Sequence, residues 1–375
     1  MKIAILIRNY RRSSGGAERY CVELSEKLAI HHEVHVFAQS YEDNNSNIKF
    51  HKISKYFEKP RFLNQLLFSF LTRKIKKDKF EIVHSHELVS NADIYTIHVP
   101  CFRSMWLEIS GFKKFLRLLN TFLSPRKILY LWLESRQMRP LPQRHFISVS
   151  DYLSRNIIKC YPSINNISIA NPGSSSNISN GSVQSDNKLK NLRIKFSIPS
   201  NAFVMLLVAN NFKKKGLPSI IESLKLLNNK KIYLIVAGND NFKRQIISSS
   251  VINNIIFLGT VEDMGSLYRQ VDLLIHPTLA DTYGMAPLEA MSLKLPIIIS
   301  NMKFCGLSEY LNDSQAVILK NPIDEIEIAS KIDFLYKNID ERLKIAQNGF
   351  EKSKTISWEK TLEKTLIAYN EVAHK

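Results

Sequence analysis

The segment HPTLADTYGMAPLEAMSLKLP, residues 276–296, holds two carboxylates, Asp281 and Glu289, with seven residues between them. A strand-like apolar run leads into it and a helical pattern leads out. Pro287 suits the first turn of that helix, where its missing N–H leaves nothing unsatisfied. Gly284, Met285 and Ala286 then present backbone N–H groups at the positive end of the helix dipole, a ready phosphate cradle. A carboxylate accepts hydrogen bonds from two neighbouring hydroxyls, the arrangement found on ribose and hexose, so two acids around a phosphate cradle suit a nucleotide sugar. The competing reading makes Glu289 a complement to the helix dipole and Asp281 a solvated loop acid.

Two further segments carry chemistry at strand ends. In VANNFKKKGLPSIIESL a strand closes at Ala209 and a helix begins near Gly216, leaving Lys213, Lys214 and Lys215 between them. Cations in that place stabilise a departing diphosphate, or else form a solvated charge run. In SSGGAER, residues 13–19, Gly15 and Gly16 allow close backbone approach to a ligand ahead of a helix that starts at Ala17, where Glu18 suits a capping role. The fingerprint G-x-G-x-x-G is absent, which argues against a dehydrogenase. His98 ends the run ADIYTIHVP; a histidine there either contacts a ligand or is structural. His84 and His86 show no metal spacing and receive no role.

Apolar runs of strand length alternate with helical patterns, so the fold expected is α/β with parallel sheets. Strands are expected at Ile3–Ile7, Val34–Ala38, Ile82–His86, Ile94–His98 and Phe146–Val149, with a helix over Ala17–Ala29. Of residues 171–191, 13 are Asn, Ser or Gly, a linker composition. The strand pattern restarts at Phe203–Ala209, Ile232–Ala237, Ile255–Leu258, Leu273–His276 and Pro296–Ser300. The expected architecture is therefore two doubly wound, Rossmann-like domains facing a cleft. The expected bounds are 1–170 for a basic N-terminal domain, read as acceptor-binding, and 192–357 for a domain read as binding the nucleotide sugar. A C-terminal helix over 358–375 has the option of crossing back to the first domain. Ligands of such sheets bind beyond the strands' carboxyl ends, where all three segments fall.

The 375 residues are 45% hydrophobic and 23% charged, which excludes a disordered or fibrous chain, and no apolar run is long enough to span a bilayer. Lys2, five apolar residues and Arg8 make too short a core for a secretory signal, so a cytoplasmic location is expected. Cys21, Cys101, Cys160 and Cys305 lie far apart, without zinc or redox spacing. The net charge is +18; residues 1–160 hold 27 Lys and Arg against 14 Asp and Glu. A basic face draws polyanions or anionic bilayers. No nucleic-acid reading motif is present, so nucleic acid is not expected as a partner. Residues 101–139 interleave aromatic and aliphatic residues, Trp106 and Trp132 among them, with Arg103, Lys113, Lys114, Arg117, Arg126, Lys127, Arg136 and Arg139. Only Glu108 and Glu134 oppose these cations. A basic amphipathic helix pair around Pro125 suits an anionic membrane surface, and Arg73–Lys79 extends the same face; the competing reading is a buried pair with snorkelling cations.

With these motifs the chain resembles the family 4 retaining glycosyltransferases of GT-B fold, and in particular bacterial lipopolysaccharide core glucosyltransferases. The resemblance implies a metal-independent hexosyltransferase that moves sugar from a nucleotide donor, UDP-linked, to an envelope glycan or glycolipid, phosphorylated in some cases. It places Glu289 on the ribose, Asp281 and His98 on the donor sugar, and Lys214 and Lys215 on the diphosphate. Gly15, Gly16, Asn210, Gly284, Met285 and Ala286 line the donor, and 101–139 correspond to a membrane-associating region. Asp281 departs from the Glu usual in the family, and Asn210 follows Ala209 where many relatives carry Gly-Arg. No cofactor is expected. A nucleotide-sugar epimerase on the same fold and a polyanion-binding protein remain as alternatives.

Overall fold

The computed structural model describes residues 1–12, 15–42, 46–75, 79–107, 111–174, 192–238 and 252–373. The linker expected at 171–191 lies outside the described residues from 175 onward. The chain forms two compact units, Met1–Pro172 with Trp358–Lys375, and Gly173–Ser357.

In the first unit the strands are β1 (Lys2–Leu6), β2 (Asn9–Tyr10), β3 (Glu33–Ala38), β4 (Ser40–Tyr41), β5 (Ile48–Lys52), β6 (Ile82–Ser85), β7 (Ile94–Ile97), β8 (His145–Ser148) and β9 (Ile167–Ile169). All but β2 and β4 join one parallel sheet in the order β5-β3-β1-β6-β7-β8-β9. Helices α1 (Gly16–Leu28), α2 (Arg61–Thr72), α3 (Gly111–Phe122), α4 (Pro125–Gln137) and α5 (Asp151–Cys160) connect them. The C-terminal helix Trp358–Ala373 belongs to this unit and buries Trp358, Thr361, Thr365, Ala368 and Tyr369. Those positions recur every three or four residues and so form one stripe. Trp358 packs edge-on against Tyr20 of α1, the Thr361 hydroxyl donates to the Asn171 carbonyl at 2.6 Å, and Lys27 pairs with Glu359 at 2.7 Å.

The second unit carries β10 (Phe203–Ala209), β11 (Ile232–Gly238), β12 (Ile255–Gly259), β13 (Leu273–His276), β14 (Ile297–Ser300) and β15 (Val317–Leu319) in the parallel order β12-β11-β10-β13-β14-β15. Its strands read as unbroken apolar runs because both faces are covered. Val204 and Leu206 of β10 and Ile297 and Ile299 of β14 enter one core with Leu288 and Met291 from the helix Met285–Ser292. Their neighbours Phe203, Met205, Leu207 and Ile298 enter the other, with Leu217, Ile220 and Leu224 from the helix Leu217–Leu227. This alternation is the period of two inherent in a strand.

The sheet orders reverse direction between β1 and β6 and between β10 and β13. Such switch points open a crevice beyond the strands' carboxyl ends. β5, β9 and β15 were not expected: Lys49 and Lys52 interrupt the apolar run of the first, and the other two have three residues each.

Gly216 begins the helix that follows β10 with φ +81°, and a Cβ there would stand 2.1 Å from the Pro277 carbonyl oxygen. This contact seats the β10 loop against the β13 loop. Gly216→Ala is expected to destabilise the second unit by more than the roughly 1–3 kcal/mol of a strained backbone position alone. A urea midpoint equal to wild type contradicts that close approach.

Candidate functional site

At the β10–β13 switch point the lysine loop and the acid loop are stitched together. Phe212 is buried and anchors the lysine loop. The Asn211 side chain accepts from the Lys214 N–H at 3.0 Å, and the Lys214 carbonyl accepts from the Leu279 N–H at 2.8 Å. The Lys214 side chain is exposed on this fixed backbone, as are Lys213 and Asn210. Lys215 turns the other way and donates to Asp281 Oδ2 at 2.5 Å. The same oxygen lies 3.0 Å from His276 Nε2.

The backbone of Asp281 is clamped from both sides. Its N–H donates to the Phe304 carbonyl at 2.7 Å, and its carbonyl accepts from Gly306 at 3.1 Å. Burial opposes ionisation of Asp281, yet the His276 hydrogen bond and the Lys215 charge outweigh it and hold the carboxyl below the usual carboxylate range. Burial pushes the His276 imidazole down, against the pull of the same carboxylate. Asp281 is thus no solvated loop acid: it is ionised, with Oδ2 committed to two protein donors.

Gly284 caps the helix Met285–Ser292 with φ +107°, and a Cβ there would come within 2.9 Å of Cys305 Sγ. Met285 and Ala286 form the first turn, partly exposed, and Pro287 is the third helical residue. Glu289 lies in the second turn, where its side chain is buried and accepts from the Tyr268 hydroxyl at 2.9 Å. The first turn of this helix carries no acid, so the dipole-complement reading of Glu289 does not hold.

His276, Asp281 and Cys305 place their ligand atoms within 4.8 Å of one another, although the cysteine lies on a separate loop. The Lys215 ammonium stands where a cation on Asp281 would sit. Burial also pushes the Cys305 thiol up, and Sγ donates to the Tyr283 carbonyl at 3.2 Å. Both features oppose metal binding in this arrangement.

In the first unit Gly15 and Gly16 open α1 after β2, and His98 directly follows β7. Gly15 is extended and opens α1, while Gly16 is its exposed first residue. A Cβ on Gly15 would meet the Glu18 carboxylate at 2.7 Å. His98 Nε2 lies 3.0 Å from His86 Nδ1. Sequence reasoning also missed the ion pair of Arg8 with Glu87 at 2.9 Å, although each residue follows a strand end in the chain. It missed Tyr268 as well, whose segment carries no local signal.

Residues 101–139 fold as a 3₁₀ turn, Phe102–Trp106, followed by α3 and α4. Glu134 does not oppose the cations on the surface: it is buried, accepts from the backbone N–H groups of Phe102 and Arg103, and accepts from the Tyr161 hydroxyl at 2.9 Å. The Trp106 indole N–H is also buried. α3, in contrast, exposes Phe112 (72%), Phe122 (73%), Phe115, Leu116 and Leu119. Arg103 and Arg126 are exposed, and Lys127 donates to Asn120 at 3.4 Å. The side chains of Lys113, Lys114 and Arg117, and residues 76–78 of the second basic stretch, lie outside the described residues.

Two units, each built on a doubly wound parallel sheet, match the GT-B class of fold. Residues 14–173 match the family described as Glycosyltransferase Family 4, and residues 190–352 match Glycosyl transferases group 1. The chain belongs to these glycosyltransferases, related to enzymes of lipopolysaccharide and O-antigen synthesis. It is 31% identical over 153 residues to the O-antigen biosynthesis glycosyltransferase WclY of Escherichia coli, a match covering 39% of this chain and 42% of that protein. It therefore spans under half the length of that relative. The crystal structure of WaaG, a glycosyltransferase involved in lipopolysaccharide biosynthesis, superposes with a TM-score of 0.81 at 20% identity, over 97% of this chain and 98% of that one. Anabaena HepE, solved with UDP-glucose, superposes at 0.70 with 16% identity, over 100% and 98%.

The Asp281 carboxyl is depressed when folded, so its contribution to stability is present above the ordinary carboxylate pKa of about 4 and is lost as pH falls below it. The stability advantage of wild type over Asp281→Asn is expected to be steady from about pH 8 to 5 and to shrink below about 4. Urea midpoints across that range check it; an advantage that grows on acidification contradicts the ion pair.

Proposed function

We propose that this chain is a retaining hexosyltransferase that takes sugar from a nucleoside diphosphate, UDP in the first instance, and transfers it to a bacterial envelope glycan or glycolipid. The observation that carries this reading is the grouping of Asp281, Lys214, Lys215, Glu289 and the Gly284–Ala286 helix start at one switch point. The bound UDP-glucose of HepE, on the same fold, supports the donor class.

In the proposed mechanism Glu289 binds the ribose hydroxyls and Asp281 the hexose. Lys214, already exposed, and the N–H groups of Met285 and Ala286 hold the diphosphate. Lys215 exchanges its contact with Asp281 for a share of the charge on the leaving group. Asn210 completes donor recognition in this unit. No protein nucleophile is used: the departing phosphate accepts the acceptor proton on the face it leaves. Positive charge comes from the protein, so no metal is required.

UDP-glucose is expected to bind and to be hydrolysed slowly without acceptor, with the rate unchanged by EDTA. Glu289→Gln should weaken binding by roughly 1.5–3 kcal/mol through loss of charge-assisted bonds. Unaltered affinity in calorimetry refutes the ribose role, and formation of an epimer from UDP-glucose alone favours an epimerase.

The exposed apolar row of α3 supports a second part of the proposal. The protein works at the inner face of the cytoplasmic membrane, with α3 lying in an anionic interface and Arg103, Lys113, Lys114, Arg117, Arg126 and Lys127 adding attraction. No described helix is long and apolar enough to cross a membrane. Phosphatidylglycerol vesicles are expected to pull down the wild type at low salt and to release most of it toward about 1 M, as the field is screened. Phe112→Ser with Phe122→Ser should abolish retention. Protein left in the supernatant at low salt overturns the membrane role.

A further inference from the structure

β5 is the edge strand of the first unit's sheet and pairs in parallel with β3, His35 beside Lys49 and Phe37 beside His51. Residues two apart share a face, so these four side chains lie on one side of the sheet. There His35 Nδ1 meets His51 Nε2 at 2.8 Å, with the ring planes within 6° and the centroids 5.0 Å apart. Phe37 stacks on His51 with centroids 4.5 Å apart, and Phe80 stands edge-on to His35 at 5.1 Å. Both imidazoles are thereby held against an aromatic wall.

Glu33 decides where the protons sit. Its Oε1 accepts from Lys49 Nζ at 2.6 Å and lies 3.0 Å from His35 Nε2. The Lys49 hydrogen bond, followed by that of His35, holds the Glu33 carboxyl down at about 2, so near neutral pH it can only accept. His35 therefore carries its proton on Nε2, and in the neutral ring Nδ1 is a bare lone pair aimed at His51. A carboxylate behind an imidazole is the outer partner that metal-bound histidines use. Burial, with His35 and Lys49 adding to it, pushes the His51 imidazole below its ordinary value, so this ring is neutral near pH 7. Its Nε2 donates to His35, while its Nδ1 makes no hydrogen bond among the described residues. The His51 proton thus has a second place to go. Once it moves to Nδ1, two bare nitrogens converge.

We propose that His35 Nδ1 and His51 Nε2 form a site for a divalent transition-metal ion of the zinc or nickel class, with Glu33 orienting His35 from behind and water completing the coordination shell. Imidazole suits zinc, nickel and copper, whereas magnesium and calcium take oxygen ligands. Bonds of about 2.0–2.1 Å in tetrahedral geometry set two nitrogens roughly 3.3 Å apart, so the pair must part slightly. His51, half-buried on the edge strand, is the ring that moves. The bound ion ties β5 to β3. No step of sugar transfer uses it, and the site does not depend on the nucleotide-sugar reading.

The test uses the untagged full chain, titrated in a calorimeter with NiCl₂, ZnCl₂ and MgCl₂, and unfolded in urea with and without NiCl₂. One Ni²⁺ per chain is expected, with no heat from Mg²⁺, and Ni²⁺ should raise the urea midpoint. His51→Gln should weaken Ni²⁺ binding at least tenfold and cancel that rise, and Glu33→Gln should weaken binding about tenfold at unchanged stoichiometry. In the wild type, substoichiometric Ni²⁺ should broaden the imidazole proton signals of His35 and His51 before those of the other histidines, a readout that needs no variant to fold. Absence of Ni²⁺ and Zn²⁺ binding, equal affinity in wild type and His51→Gln, or earlier broadening of other histidines overturns the site. Wild-type affinity in Glu33→Gln overturns the orienting role, and a midpoint that Ni²⁺ leaves unchanged overturns the tie between the strands.

Discussion

One carboxylate oxygen organises the second unit. Asp281 Oδ2 takes the Lys215 ammonium from the loop after β10 and the His276 imidazole from the end of β13. Two loops far apart in the chain are thereby joined at the place where the sheet reverses direction. The partners of that oxygen are charged or polar and largely enclosed, so removing either leaves a group whose desolvation is no longer compensated. The Gly216 approach to Pro277 and the Lys214 to Leu279 hydrogen bond follow the same seam. A nucleotide sugar would meet a preformed site in which one lysine is held and another is exposed.

The large elements were legible because parallel strands buried on both faces read as apolar runs: Phe203–Ala209 and Leu273–His276 coincide with β10 and β13. The Asp281 and Glu289 pair was legible because both acids fall on one loop-to-helix segment. Their partners were not. Cys305 reaches the site from a separate loop and Tyr268 from the end of the short helix Met264–Tyr268, and only the folded sheet order brings them there. His84 and His86 show no metal spacing in the sequence, and the alignment of His86 with His98 depends on the pairing of β6 with β7. Glu134 read as a surface acid because its helix is amphipathic, and its burial arises from capping a turn more than thirty residues earlier in the chain.

The units divide the physical work differently. The second has a sparse net charge and builds its site from paired ions and a helix start. The first carries most of the +18 charge and exposes a row of large apolar side chains on α3, which a solvated helix does not need. With Glu134 buried, the charge of the described side chains along α4 is more uniformly positive than the sequence implied. The same unit also houses a buried set of neutral histidines tied to the C-terminal helix through Tyr369.

The central claim is that the Lys215–Asp281 pair is the element that meets the donor. A double-mutant cycle read by titration calorimetry with UDP-glucose tests it most directly, using Lys215→Ala, Asp281→Ala and the combined variant. Each single change should weaken binding, and the double should be little worse than the more damaging single, a coupling of about 1 kcal/mol or more. Losses that simply add, or a wild type that does not bind UDP-glucose, contradict the account.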